Sequence, residues 1–231
     1  MLRCIIFDFN GVIIDDEELH FRAFSKVLEE QGLALTEQEY FTRYLGLDDK
    51  GCLAAALTDK TPTEPSTERV MELVERKAEV YLEELEGNMR IFPGVVSLIK
   101  HLADQEDLHL AINSGARAHE IRHVLERAGL TGCFHATVSA DEVTKGKPDP
   151  EGYLEACARL KATVADLHDL SPSECLVIED SPNGIKAAHR AGMTCVGVTN
   201  SRSRSELRDA ELVVDTLEGV TAETLRQASP T

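Results

Sequence analysis

Nowhere does this chain of 231 residues approach the ~18 consecutive apolar residues of a membrane span. Its N-terminus lacks a basic segment followed by an apolar one, so no signal peptide is expected. Repeats and low-complexity tracts are absent, and so is any CxxC pair. The six cysteines, Cys4, Cys52, Cys133, Cys157, Cys175 and Cys195, are widely spaced. Four of them (Cys4, Cys133, Cys175 and Cys195) lie in or beside apolar, strand-like segments, where a thiol behaves as a small hydrophobe. That usage fits a reducing cytoplasm better than a disulfide framework. Basic residues are scarce: 24 Lys and Arg stand against 41 Asp and Glu, a net charge of -17. A polyphosphate backbone is repelled at long range, which argues against a nucleic-acid partner. Small anionic substrates stay compatible, because a site with its own lysine and metal sets the local potential. What is present, 42% hydrophobic and 28% charged residues, describes a soluble globular chain. Its length suits one domain with an insertion or two small domains.

The pattern along the chain changes twice. An apolar run, Cys4 to Phe7, reads as a buried strand. From residue 16 to 88 the periodicity is helical throughout. Leu19, Ala23, Phe24, Val27 and Leu28 share one face, and Gly32 is placed to end that helix. Short helices are expected at 37–45 and 49–57, and a long one from Thr67 to Leu85 with Gly87 closing it. Val70, Leu73, Val74, Lys77, Val80 and Tyr81 trace the inner face of that long helix. From Phe92 onward strands and helices alternate. Strands are expected at 108–113, 134–139, 174–178, 194–198 and 212–214. Helices are expected from Gly94 to 102 and at 116–128, 150–160 and 182–191. This order predicts an α/β core with a parallel sheet covered on both faces, formed by 1–15 and 89–231, and a helical insertion at 16–88.

In open parallel sheets ligands bind beyond the carboxyl ends of the strands, and four such ends carry polar groups. Asp8 ends the first strand, and Asn10-Gly11 then turns the chain. A carboxylate there is costly unless it is paired or bound to a metal. The second end presents Asn113, Ser114 and Gly115 ahead of a helix, which is an anion site or, for Ser114, a plain helix cap. Lys147, in Lys-Gly-Lys-Pro-Asp-Pro, is expected on a stiff, extended loop held by Pro148 and Pro150, as suits a phosphate clamp. The fourth end carries Glu179-Asp180, adjacent carboxylates that ask for a cation. Asp8 and Asp180 together form the oxygen-rich site that Mg2+ prefers.

These four pieces, in this order and over nearly the whole chain, resemble the haloacid dehalogenase superfamily. The similarity is greatest to its phosphatases and β-phosphoglucomutases, which carry a helical cap after the first strand. The resemblance implies a Rossmann-like three-layer core with Asp8 as the nucleophile that forms an aspartyl-phosphate. It implies that Ser114, Gly115 and Lys147 hold the phosphoryl group, with His20 contributing from the cap. The implied cofactor is Mg2+, held by Asp8, the carbonyl of Asn10, Glu179 and Asp180, and the implied substrate is a small phosphorylated metabolite. A phosphosugar mutase and a catalytically silent ligand binder are the alternatives.

Two positions depart from that pattern and one motif competes with it. The family's phosphatases and mutases carry a second Asp two residues after the nucleophile, as acid and base, where this chain has Asn10. An amide performs neither task, which is worth ~10² to 10⁴ in rate. Mutases grip a second phosphate with a cap arginine, whereas Gly46-Leu47-Asp48-Asp49-Lys50-Gly51 offers acids and one lysine, unless Asp48 and Asp49 simply cap the next helix. Residues 119–123, His-Glu-Ile-Arg-His, spell HExxH. The metzincin continuation fails at Glu126 and Gly129. The expected helix buries Ile121, Val124, Leu125 and Ala128 and turns both histidines to solvent, so no zinc site is expected.

Overall fold

The computed structural model describes residues 1–229, which divide into two compact units: Met1–Asp15 with Arg90 onward, and Asp16–Met89. The chain first forms β1 (Cys4–Phe7), whose four side chains are all buried. It then builds the helical unit from α1 (Glu17–Glu29), α2 (Glu37–Glu39), α3 (Asp49–Lys60) and α4 (Thr67–Asn88). Here α1 packs along α4, and α3 packs against α4 as well. Leu19, Ala23, Phe24, Val27 and Leu28 are the buried face of α1, at the helical spacing the sequence displays. Three expectations change. The short helix at 37–45 is one capped turn, Thr36 and Glu39 satisfying each other's backbone N–H, continued by a π-helix at Tyr40–Tyr44. The helix at 49 runs on to Lys60. Gly87 does not close α4, which continues to Asn88, where the Asn88 side chain donates back to the Glu84 carbonyl at 3.0 Å.

Beyond Arg90 come α5 (Val95–Ala103), β2 (His109–Asn113), α6 (Ala118–Ala128), β3 (Ala136–Val138) and α7 (Glu151–Thr163). There follow β4 (Cys175–Glu179), α8 (Pro182–Arg190), β5 (Thr194–Val198), β6 (Leu212–Val214) and α9 (Ala222–Ala228). The six strands pair in parallel in the order β3-β2-β1-β4-β5-β6. Near-continuous apolar runs such as Cys-Leu-Val-Ile form β1, β4 and β5, whose side chains are buried on both faces of the sheet, whereas β6 at the edge is half-buried. The ladder of β3 is shorter than the 134–139 run, as befits the edge of the sheet. The seven-residue α9, capped by Thr221, was not apparent in the sequence pattern. Connections run outward in both directions from the central pair β1 and β4, whose register sets Phe7 beside Ile178. The strand order therefore reverses between β1 and β4, the place where a crevice opens beyond the strand ends.

Candidate active site

Asp8 and Asp180 directly follow the last residues of β1 and β4, so the switch point itself delivers them side by side. With Glu179 they make a group of three buried carboxylates whose ligand atoms lie within 4.8 Å of one another. It is the single such group of His, Cys, Asp and Glu among the described residues. Lys147 bridges two of its members, at 2.7 Å from Asp8 Oδ1 and 2.6 Å from Glu179 Oε1. Glu179 is held from every side. Tyr153 donates to Oε1 at 2.7 Å, while the Asp180 N–H, the Ser181 N–H and the Ser181 hydroxyl donate to Oε2 at 3.0 to 3.1 Å. Asp8 Oδ1 also accepts the Phe9 N–H at 2.8 Å.

One lysine against three buried carboxylates leaves the cluster short of positive charge. Burial penalises every ionised form here, but Lys147 and its hydrogen bonds outweigh it at Glu179, which stays below the usual carboxylate range. Burial, then Glu179, pushes the Asp180 carboxyl up to about 7. Burial and the same neighbour push Asp8 well up too, against Lys147. Burial disfavours the Lys147 ammonium, yet Asp8 and Glu179 raise its pKa above the ordinary lysine value. The deficit is of the kind a hard divalent cation relieves, and a donor set made only of oxygen fits one.

The other expected residues distribute unevenly. The Ser114 hydroxyl donates to Asn10 Oδ1 at 3.2 Å and accepts the Ala116 N–H at 2.9 Å, which ties the second strand end to the turn after Asp8. Gly115 is exposed, with nothing within 4 Å of where a Cβ would stand. The helix does not begin directly behind it. It begins at Ala118, and the N–H groups of Arg117 and Ala118 are taken by Glu120 and Asp141, so α6 offers no open N-terminus at those positions. Ser114 is therefore not the helix cap either. The Lys147 loop is not extended: residues 147–150 turn, the Lys147–Pro148 peptide is cis, and Asp149 N–H donates to the Gly146 carbonyl. What fixes the loop is Glu151, which accepts from the Thr144 N–H and hydroxyl and from the Lys145 N–H.

His20 lies in the helical unit. Its ring stacks on Tyr81 at 4.5 Å, its Nε2 is 3.3 Å from Asp16 Oδ2, and its Nδ1 is 2.7 Å from Lys77 Nζ. Lys77 is fully buried and holds both Asp49 oxygens at 2.9 Å, so the Asp49 charge is answered inside the unit; Asp48 caps α3 through the Gly51 N–H. The HExxH histidines are half-buried rather than turned to solvent. The residue sealed between them is Glu120, engaged by the Arg117 N–H, and Leu125 and Ala128 are half-buried.

Sequence reasoning missed Tyr153, Asn200 and Ser201. Tyr153 sits on the buried face of α7, indistinguishable by spacing from any core aromatic. Asn200 and Ser201 follow β5, where the strand-end rule applied to a fifth strand would have found them; Asn200 Nδ2 donates to the Gly11 carbonyl at 2.8 Å.

Comparison with known proteins bears on the family and the fold. Residues 5–198 match the family of haloacid dehalogenase-like hydrolases. The chain is 29% identical over 230 residues to a β-phosphoglucomutase of Bacillus subtilis, covering 98% of this chain and 95% of that protein. It is 32% identical over 204 residues to a phosphorylated carbohydrates phosphatase of Thermotoga maritima, covering 87% of each. The crystal structure of a β-phosphoglucomutase from Clostridium difficile superposes with a TM-score of 0.84 at 25% identity, over 99% of this chain and 97% of that one. With the parallel sheet, the acidic cluster at its switch point and the matched span in agreement, this chain belongs to the haloacid dehalogenase-like hydrolases.

Proposed function

We propose that the protein is a Mg2+-dependent phosphatase acting on a small phosphorylated metabolite through an aspartyl-phosphate on Asp8. The observation that carries the reading is the bridge from Lys147 to Asp8 and Glu179. Both polar contacts of the Asp8 carboxylate fall on Oδ1, which leaves Oδ2 to attack phosphorus while the bond to the ester oxygen breaks. Lys147 and the Ser114 hydroxyl offset the charge on the phosphoryl oxygens, with the exposed Gly115 next to Ser114 in the chain. Water then attacks the aspartyl-phosphate, which releases phosphate and restores Asp8. A divalent cation would be held by Asp8, Asp180, Glu179 and the Asn10 carbonyl, and when bound would supply positive charge against these carboxylates and the phosphoryl oxygens. Asn10 transfers no proton, so the ester oxygen leaves without an acid and the water attacks without a base.

A phosphosugar mutase is less well supported. The segment from Gly46 to Gly51 has no arginine, Asp48 is spent on a cap and Asp49 on Lys77. The six free thiols suit a reducing, cytoplasmic setting, the net charge of -17 opposes nucleic acid, and no helix among the described residues is long and apolar enough to cross a membrane. A panel of phosphorylated metabolites, scored by phosphate release with Mg2+ and with EDTA, tests the reading. Release that needs Mg2+ and vanishes in Asp8→Asn supports it. Tight binding of phosphorylated ligands without any release selects the silent binder.

A further inference from the structure

The loop after β5 reaches both the turn that follows Asp8 and the Asp180 carboxylate. Gly11 follows the Asn10 carbonyl and has φ of +76°, a left-handed conformation that glycine adopts without strain. A Cβ on it would lie 2.0 Å from Asp180 Oδ2 and 2.8 Å from Ser201 Oγ, so the turn, the Asp180 carboxylate and the Ser201 hydroxyl converge on one point. There the Ser201 hydroxyl stands beside the Asp180 carboxylate and favours its ionised form. Asn200 donates from Nδ2 to the Gly11 carbonyl at 2.8 Å. On the other side of the turn, the Gly11 N–H donates to the Ile14 carbonyl at 2.9 Å. Because the Asn10–Gly11 peptide is planar and trans, that bond turns the Asn10 carbonyl the opposite way. The turn is thus held at two successive peptides, one of them from the β5 loop.

Resting on the cation site argued above, we propose that Asn200 and Ser201 are positioning residues of that site, which keep the Asn10–Gly11 turn and the Asp180 carboxylate in register for a divalent cation. Neither needs to touch the cation. Groups that orient metal-ligating carboxylates govern affinity through the ligand's freedom, and their loss typically weakens binding ~10- to 100-fold.

Calorimetric titration of Mg2+ into EDTA-stripped full-length protein tests this without turnover. Ser201→Ala and Asn200→Ala should each weaken Mg2+ binding about tenfold or more, with melting in EDTA close to that of the wild type. Ser201→Thr, which keeps the hydroxyl, should restore most of the affinity. Ser203→Ala disturbs the same loop, where Ser203 bonds Glu206 and Ser205, and should leave Mg2+ affinity unchanged. Unchanged affinity in both Ser201→Ala and Asn200→Ala overturns the proposal while the cation site stands. Equal weakening in Ser203→Ala also overturns it, since general loosening would then suffice. If the wild type itself binds no Mg2+, the cation site and the proposal fall together.

Discussion

Asn10 carries an amide, which exchanges no proton, and its Oδ1 accepts from the Ser114 hydroxyl at 3.2 Å. If Asn10 stands in for an acid and base, Asn10→Asp should raise turnover of alkyl phosphates by ~10² to 10⁴, and of aryl phosphates less, because phenolates leave without a proton. Steady-state rates on a matched alkyl and aryl pair check this; equal or lower rates in Asn10→Asp would give Asn10 another task. Fresh protein is required, since an Asn-Gly pair deamidates to the Asp form. Asp180 supports a second prediction. Burial, then Glu179, raises its carboxyl from the ordinary value of about 4 to about 7. Between these values the folded state binds more protons than the unfolded state, so the stability contributed by Asp180 falls as pH rises. In EDTA, the stability of the wild type relative to Asp180→Asn should therefore decline from about pH 4 to about pH 7. Chemical denaturation of both proteins across that range reads the difference, and a flat difference would contradict the raised value.

The elements matter through how closely their ends approach. A Cβ on Gly184, in the first turn of α8, would lie 1.8 Å from Glu179, and one on Gly152, in α7, would lie 2.1 Å from Asn113 Oδ1. Both helices thus reach the strand ends only because those positions have no side chain. Gly184→Ala should displace Glu179 and destabilise by ~1 to 3 kcal/mol, the usual cost of overpacking, and should cut phosphate release as well. Gly87→Ala, in α4 with open space around it, should leave melting near that of the wild type or raise it. Melting curves of the two variants check the contrast. Much of the element order was legible: buried parallel strands announce themselves as apolar runs, and β5 and β6 fall on the stretches the pattern indicates. What the pattern could not show depends on hydrogen bonds that spacing does not encode. Asn88 reaching back to Glu84 extends α4, Glu151 folds the Lys147 loop into a turn, and Glu120 and Asp141 close the start of α6.

Across the whole molecule, the acidic surplus places a net charge of -17 around a site that itself holds one lysine among three carboxylates. A divalent cation should therefore raise the melting temperature, and more so at pH 8 than at pH 6, where protons compete for Asp180. The strand ends of β1 and β4 were readable as chemistry because a carboxylate after an apolar run is costly until a cation or a hydrogen-bonding partner meets it. The role of Tyr153 was not, because its partner Glu179 is 26 residues away and only the fold joins them. The central claim is that Asp8 carries the phosphoryl group. The most direct test mixes the protein with p-nitrophenyl phosphate and Mg2+, quenches in acid and maps the adduct by mass spectrometry. One phosphoryl group on the peptide that contains Asp8, absent in Asp8→Asn and persistent because Asn10 activates no water, is the predicted result. Phosphate release that continues undiminished in Asp8→Asn, with no adduct on that peptide, would contradict it.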